Sequence, residues 1–193
     1  PNRILMRIIG GALKRRKLFF PRSKLTRPVT DRAKETMFNV LGGTLEPIQV
    51  LDLFAGSGSL GIEALSRGAK TVFFVDIQTF AIDCIRKNLT TLGLNSFSFL
   101  FRKTCENAIE MLAKQNKKFD LIFSDPPHNK GLIKKTLHAL DRSDILAPLG
   151  IIVVGHSNKE PLPEELKSLQ LKRSIKMGQG FVSFLMRKSD LCG

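Results

Sequence analysis

An α/β fold built on a mostly parallel, seven-stranded sheet is what this sequence predicts, and three observations predict it. From Leu51 onward, short β-branched or apolar runs alternate with helix-length amphipathic segments. That is the pattern of βαβ units whose strands are covered on both faces. A glycine-rich turn, G-x-G-x-x-G at residues 56–61, falls between the first such run and the first such helix. The last two runs flank Gly178 and Gly180 with no helix-length segment between them, so the sheet is expected to finish in an antiparallel hairpin.

Taken in order, residues 4–9, then Gly10 and Gly11, then Leu13 onward read as a small basic hairpin or arm. Residues 1–5 precede the run MRIIGG and are assigned no function. Thr30 is placed to cap a helix over 31–41, with Asp31 and Glu35 early, where a carboxylate favours the helix dipole. Ala33, Met37, Val40 and Leu41 would form its apolar stripe. Strands are predicted at 50–53, 71–75, 97–101, 121–124 and 151–154, and helices at 59–67, 79–92, 106–114 and 132–140. Gly68 and Gly93 stop two of those helices. The closing hairpin takes 171–176 and 181–187. The expected division is a basic N-terminal extension over 1–45, one catalytic domain over 46–188 and a tail over 189–193.

Composition narrows the function. No apolar run approaches the ~20 residues that cross a bilayer, and a soluble, cytoplasmic, monomeric protein is expected. Cys84, Cys105 and Cys192 are odd in number and widely spaced, which argues against a disulfide framework. With His128, His138 and His156 equally scattered, no metal site is expected. The formal net charge of +14 points to a polyanionic partner. Its distribution is uneven: eleven basic residues from Arg3 to Lys34, opposed only by Asp31, precede the first apolar helical stretch. Arg7, Lys14, Arg15, Arg16, Lys17, Arg27 and Arg32 are the candidate nucleic-acid contacts.

Within LDLFAGSGSLG, glycines let the backbone turn sharply and let a ligand approach without meeting a Cβ. Asp76 stands fifteen residues after Gly61, just past the second strand, where a carboxylate can accept from both hydroxyls of a ribose. The spacing serves NAD as well as S-adenosylmethionine. Asp52, just before the glycines, favours the latter, because a carboxylate there can face a cationic methionine group but would repel a pyrophosphate.

The second feature favouring S-adenosylmethionine is FDLIFSDPPH, whose hydrophobic strand ends in Asp125, Pro126, Pro127 and His128. Open α/β sheets bind ligands outside the carboxyl ends of their strands, so this tetrad and the glycine turn are expected to meet. An exocyclic amine on a nucleobase shares its lone pair with the ring and is a poor nucleophile until acceptors hold its two N–H groups. Asp125 supplies one acceptor and the carbonyl of Pro126 another. Proline has no N–H and a fixed φ, so it holds such a carbonyl rigidly and offers no competing donor. A target base must leave its stack to enter such a pocket, where the ring at position 128 would contact it.

Together, MRIIGG, RPVTDRAKETMFNVL, VLDLFAGSGSLGIEALSRGA and FDLIFSDPPH resemble the bacterial RsmD-like enzymes, over about residues 6–187. The resemblance implies a class I methyltransferase (Rossmann-like) fold and S-adenosylmethionine as donor. It further implies methylation of the N2 amine of a guanine in small-subunit (16S) ribosomal RNA, free or in the assembled small subunit, and a basic extension that helps hold that RNA. Carried over by position, it implies that Asp52, Phe54, Gly56 and Gly58 line the methionine and ribose portion of the cofactor. Asp76 would take the ribose, Ile77 one adenine face, and Asn107 with Ala108 the adenine edge, while Asp125, Pro126, Pro127 and His128 form the amine-binding tetrad. Three positions depart from the family's usual pattern: Asp76 replaces a common Glu, His128 a common Phe or Tyr, and Gly155 with His156 stand where an acidic residue is frequent. The rival readings are a DNA amino-methyltransferase, a NAD-dependent dehydrogenase and a non-catalytic RNA-binding module.

Overall fold

The computed structural model describes residues 6–20, 29–127 and 130–191. His128, Arg27 and Cys192 lie outside the described residues. A two-stranded hairpin, β1 (Met6–Arg7) with β2 (Lys17–Leu18), leads into α1 (Asp31–Val40). There follow β3 (Gln49–Leu53), α2 (Ser59–Ser66), β4 (Thr71–Asp76), α3 (Thr79–Leu92), β5 (Ser98–Arg102), α4 (Cys105–Lys114), β6 (Phe119–Ser124) and α5 (Leu132–Arg142). β7 (Leu146–Ser157), β8 (Leu169–Met177) and β9 (Gly180–Arg187) complete a seven-stranded sheet of order β5-β4-β3-β6-β7-β9-β8. Strands β3 to β7 run parallel, and β9 lies antiparallel between β7 and β8.

The central strands are apolar on both faces because both faces are covered. One core gathers Phe38, Ile62, Ile85 and Leu89 from α1, α2 and α3, and the other gathers Ile109, Leu112, Ile133 and Leu137 from α4 and α5. From β3 the chain moves outward through β4 to β5, then returns to β6 on the other flank of β3, so strand order reverses between β3 and β6. A crevice opens at such a reversal, outside the carboxyl ends of the two strands.

Two predicted elements have different bounds. Residues 95–97 form a single 3₁₀ turn, so β5 starts at Ser98, and β7 starts five residues before its predicted core because Pro148 and Gly150 mask its first half in the sequence. Asp141 at the end of α5 anchors the start of β8: its buried carboxylate accepts from the amides of Lys167 (2.7 Å), Ser168 (2.8 Å) and Leu169 (3.0 Å).

The N-terminal hairpin is packed onto the sheet's helical layer. Met6, Ile8 and Leu18 are buried in the same core as Met37 and Phe38. The amides of Ile9 and Gly10 donate to the Glu63 carboxylate at 2.9 and 2.7 Å, and Asn88 both donates to and accepts from the backbone of Phe19. One expectation is corrected here. Lys34, counted among the basic residues facing a polyanion, is fully buried; its ammonium donates to the Arg7 carbonyl and lies 3.8 Å from Glu63 and 3.7 Å from Asp31. Burial pulls its pKa down, and the two carboxylates pull against that shift. The buried face of α1 is accordingly Lys34, Met37 and Phe38, because Glu63 on α2 supplies the counter-charge that admits a lysine. Among the described residues no helix is long and apolar enough to cross a membrane.

Candidate active site at the switch point

Parallel pairing aligns Asp52 with Phe123 and Leu53 with Ser124. The turn that follows Leu53 and the Asp125-Pro126-Pro127 segment that follows Ser124 therefore leave the same edge of the sheet side by side.

The turn is held by short local bonds. Phe54 adopts a left-handed φ of 59°, the Ala55 amide donates to the Val75 carbonyl (3.0 Å), and the Gly58 amide donates to the Ala55 carbonyl (2.7 Å). Gly58, at φ 77°, is the residue from which α2 begins. At Gly56 (φ 58°) an added Cβ would meet nothing closer than the Phe54 carbonyl at 3.9 Å, so a glycine is required there by backbone conformation and its outer side stays open. Gly61 is required by packing instead: a Cβ there would lie 2.3 Å from the Phe74 ring.

Two carboxylates brace this turn. Asp76 accepts from the Gly56 amide (2.9 Å) through one oxygen and from the Gln78 amide (2.8 Å) through the other. Asp52 is buried and accepts from the Gly61 amide at 2.9 Å. Burial pushes its carboxyl up to about 7; the Gly61 bond opposes that rise, while the charges of Asp125 and Asp76 add to it. Asp52 thus senses both of the other carboxylates at the switch point. Beside Asp76, Ile77 presents an apolar side chain that is 56% exposed. Asn107 is exposed in the first turn of α4, where its amide donates to Thr104, whereas Ala108 is fully buried in the second core. The Phe54 amide also bonds to the Cys105 thiol, whose pKa burial drives upward, so that sulfur is a packing group.

Asp125 is half-buried, Pro126 buried and Pro127 half-buried. The Asp125 carboxylate lies against Gly155 of β7, so closely that a Cβ at position 155 would be 2.1 Å from its Oδ1. This role of Gly155 was missed from sequence. A glycine inside a β-branched run is a signal of close approach, although it does not say what approaches. Next to it, His156 stacks on Phe181 at 5.3 Å and its Nε2 meets the Ser183 hydroxyl at 2.8 Å.

The basic candidates fall into two places. Arg7 and Lys17 sit in the short hairpin whose Met6 thioether accepts from Ser57 of the glycine turn at 3.5 Å. Lys14, Arg15 and Arg16 lie near the opposite end of α2, where the Ala12 amide donates to the Ser66 carbonyl. That is about 12 Å from the glycine turn for a helix of this length. All five are exposed, as is Arg32, and Arg7 pairs with Asp31 at 2.8 Å. Among the described residues no group of three or more His, Cys, Asp or Glu could hold a metal ion.

Comparison with known proteins gives consistent matches along nearly the whole chain. Residues 6–186 match the family model described as "Conserved hypothetical protein 95". The YlbH protein of Bacillus subtilis (strain 168) is 40% identical over 173 residues, covering 90% of this chain and 94% of that protein. Ribosomal RNA small subunit methyltransferase D of Escherichia coli (strain K12) is 37% identical over 174 residues, covering 90% of this chain and 86% of its own length. The solved structure of the yhhF protein from Escherichia coli matches with a TM-score of 0.79 at 33% identity, covering 95% of this chain and 98% of that one.

Proposed function

Because this chain belongs to the conserved hypothetical protein 95 family, we propose that it transfers a methyl group from S-adenosylmethionine to ribosomal RNA, at the exocyclic N2 amine of a guanine in the small-subunit molecule. The observation that carries the reading is the register Leu53↔Ser124, which brings the glycine turn and Asp125 to one edge of the sheet. The similarity to a small-subunit ribosomal RNA methyltransferase supports the polymer.

The residues present fit S-adenosylmethionine better than a dinucleotide. The open side of Gly56, the carboxylate of Asp76 and the exposed Ile77 beside it suit a nucleoside. A buried Asp52 that feels the charges of both Asp125 and Asp76 suits a cation and would oppose a pyrophosphate. When bound, the cofactor supplies a methyl group on an electron-poor sulfonium. Asp76 would hold the ribose, Ile77 the adenine face and Asn107 its edge, with Phe54 and Gly58 completing the turn around it.

The protein's own part in the chemistry is positioning. Asp125 and the Pro126 carbonyl accept the two N–H groups of the amine, which turns its lone pair out of conjugation and toward the cofactor side. The proton that leaves the methylated amine passes to Asp125 or to water. His128 is proposed to contact the target base. Arg7, Lys14, Arg15, Arg16, Lys17, Arg27 and Arg32 are proposed to hold RNA phosphates.

Labelled-donor assays on small ribosomal subunits, free ribosomal RNA and duplex DNA, followed by mass mapping of nucleosides, test the reading. Label in N2-methylguanosine of small-subunit RNA is expected, and label confined to adenine or cytosine of DNA would overturn it. Asp125→Ala is expected to lower methyl transfer by about 10²-fold or more while leaving S-adenosylhomocysteine affinity within a few-fold. His128→Ala is expected to lower methyl transfer more than cofactor binding.

A further inference from the structure

We propose that the edge strand β8 is a second RNA-backbone surface, in which Lys172, Arg173 and Lys176 bind phosphates flanking the target nucleotide. The proposal rests on the ribosomal RNA reading above and extends it to a part of the chain not among the sequence-predicted contacts. From Leu166 to Ser189 the sequence has six basic residues, Lys167, Lys172, Arg173, Lys176, Arg187 and Lys188, and no Asp or Glu. Arg187 and Lys188 are engaged in the fold: the first pairs with Asp144 at 2.6 Å, and the second donates to the Leu166 carbonyl at 2.6 Å. Lys172, Arg173 and Lys176 are exposed, and among the described residues none of the three is in an ion pair.

Register puts this strip at the catalytic end of the sheet. Gly155, against which the Asp125 carboxylate lies, pairs with Val182, and Val182 pairs with Ile175. The next row along is His156, Phe181 and Lys176. Strands are spaced ~4.8 Å apart, so the three steps from β6 to β8 carry this row about 14 Å from Asp125. Side chains alternate between faces: Arg173 shares its face with Ile175 and Met177, and Lys176 points to the other. The two cations straddle the strand's open edge. A register shift between Leu171 and Arg173 leaves Lys172 as the extra residue of a bulge, adding a third cation at that edge.

A plainer account is that cations on an edge strand only prevent sheet-to-sheet pairing. The opposite edge argues against it. Strand β5 has Arg102 as its single charged residue and shows Phe99 at 47% exposure, with Phe97 at 49% just before it. Edge protection alone would have been needed there at least as much, yet β8, whose register leads to Asp125, has three exposed cations against the one of β5.

The test is a pair of triple variants in the full chain, K172Q/R173Q/K176Q and K172E/R173E/K176E, titrated with small-subunit ribosomal RNA and with intact small subunits over a series of salt concentrations. Each lost phosphate contact removes roughly 0.7–0.9 from the slope of log K against log salt, so the glutamine variant should lose about 2. Its KM for RNA should rise about tenfold, the glutamate variant's further, with kcat at saturating RNA and S-adenosylhomocysteine affinity unchanged. Wild-type slope and KM in both variants would overturn the proposal. So would a glutamine variant that aggregates beside a soluble glutamate variant with wild-type RNA affinity, which is the edge-protection outcome. Loss of binding to intact subunits alone, with free RNA unaffected, would assign the strip to a ribosomal protein and also overturn it. If the wild-type chain neither bound S-adenosylhomocysteine nor methylated RNA, the enzymatic reading would fall separately, and the salt slopes would still decide the role of β8.

Discussion

Gly155 has no side chain, yet it decides where the Asp125 carboxylate can lie. Replacing it with alanine would put a Cβ 2.1 Å from Oδ1, so the carboxylate must move by an ångström or so. Misplacement on that scale in a positioning-dependent reaction costs on the order of 10²-fold. Gly155→Ala is therefore expected to lower kcat by about that factor with S-adenosylhomocysteine affinity within about twofold; an unchanged kcat would show that Asp125 can act from another rotamer. Asp52 gives a pH signature. Its folded pKa of about 7 stands above that of an exposed carboxyl, so the stability it contributes is in place in acid and is lost as pH rises through about 7. A sulfonium nearby reverses the preference by favouring the charged form. Affinity for S-adenosylmethionine is thus expected to rise through pH 7 more steeply than affinity for the uncharged thioether of S-adenosylhomocysteine. Asp52→Asn should abolish the difference in calorimetric titrations, and a difference that survives would remove Asp52 from the cofactor's field. At this scale Asp52, the glycines, Asp76 and Asp125 were all legible in the sequence, because each belongs to a motif with fixed spacing. Gly155 was not, because its partner lies thirty residues away on another strand.

The hairpin β1–β2 and helix α1 show what an element's sequence conceals. Their basic residues read as a surface feature, but the hairpin is fastened by Glu63, whose carboxylate takes two backbone amides, Arg67 at 2.9 Å and the nearby Lys34 ammonium. A buried charge left without its partner costs about 3 kcal/mol or more. Glu63→Ala removes the partner of a fully buried lysine and strands two amides, so a loss of about 3 kcal/mol is expected, or roughly 6–12 °C in Tm for a chain of this size. Thermal denaturation checks it, together with hydrogen exchange at Ile9 and Gly10, which should lose protection before the sheet does. A Tm within about 2 °C of wild type would mean that the hairpin is held by its apolar contacts alone. Helices α2 to α5 and the strands between them were readable to within a residue or two at most ends, because amphipathic period and glycine stops act locally. Strand β7 was half hidden, because Pro148 and Gly150 look like a turn until a neighbouring strand is present to pair with.

At the scale of the whole molecule, a net charge of +14 on 193 residues makes binding to a polyanion strongly dependent on ionic strength. If the N-terminal cluster and β8 both engage RNA, affinity is expected to fall on the order of 10³-fold on a fourfold rise in salt. A much shallower fall in filter-binding or fluorescence titrations would show that most of these cations never reach phosphate. The sequence by itself determined the α/β layering, the glycine turn and the Asp-Pro-Pro segment at a strand end, and its charge pointed to a polyanionic partner, since all of these are set by residue type and by spacing along a short stretch. Tertiary structure alone decided which charges face outward and which are neutralised inside, as with Lys34 against Glu63. It also decided which segments distant in sequence share an edge, as with Asp125, Gly155 and Lys176. The reason is physical: burial and charge pairing depend on what packs from the other side, and strand register across a sheet is settled by the assembled core, which no single segment encodes.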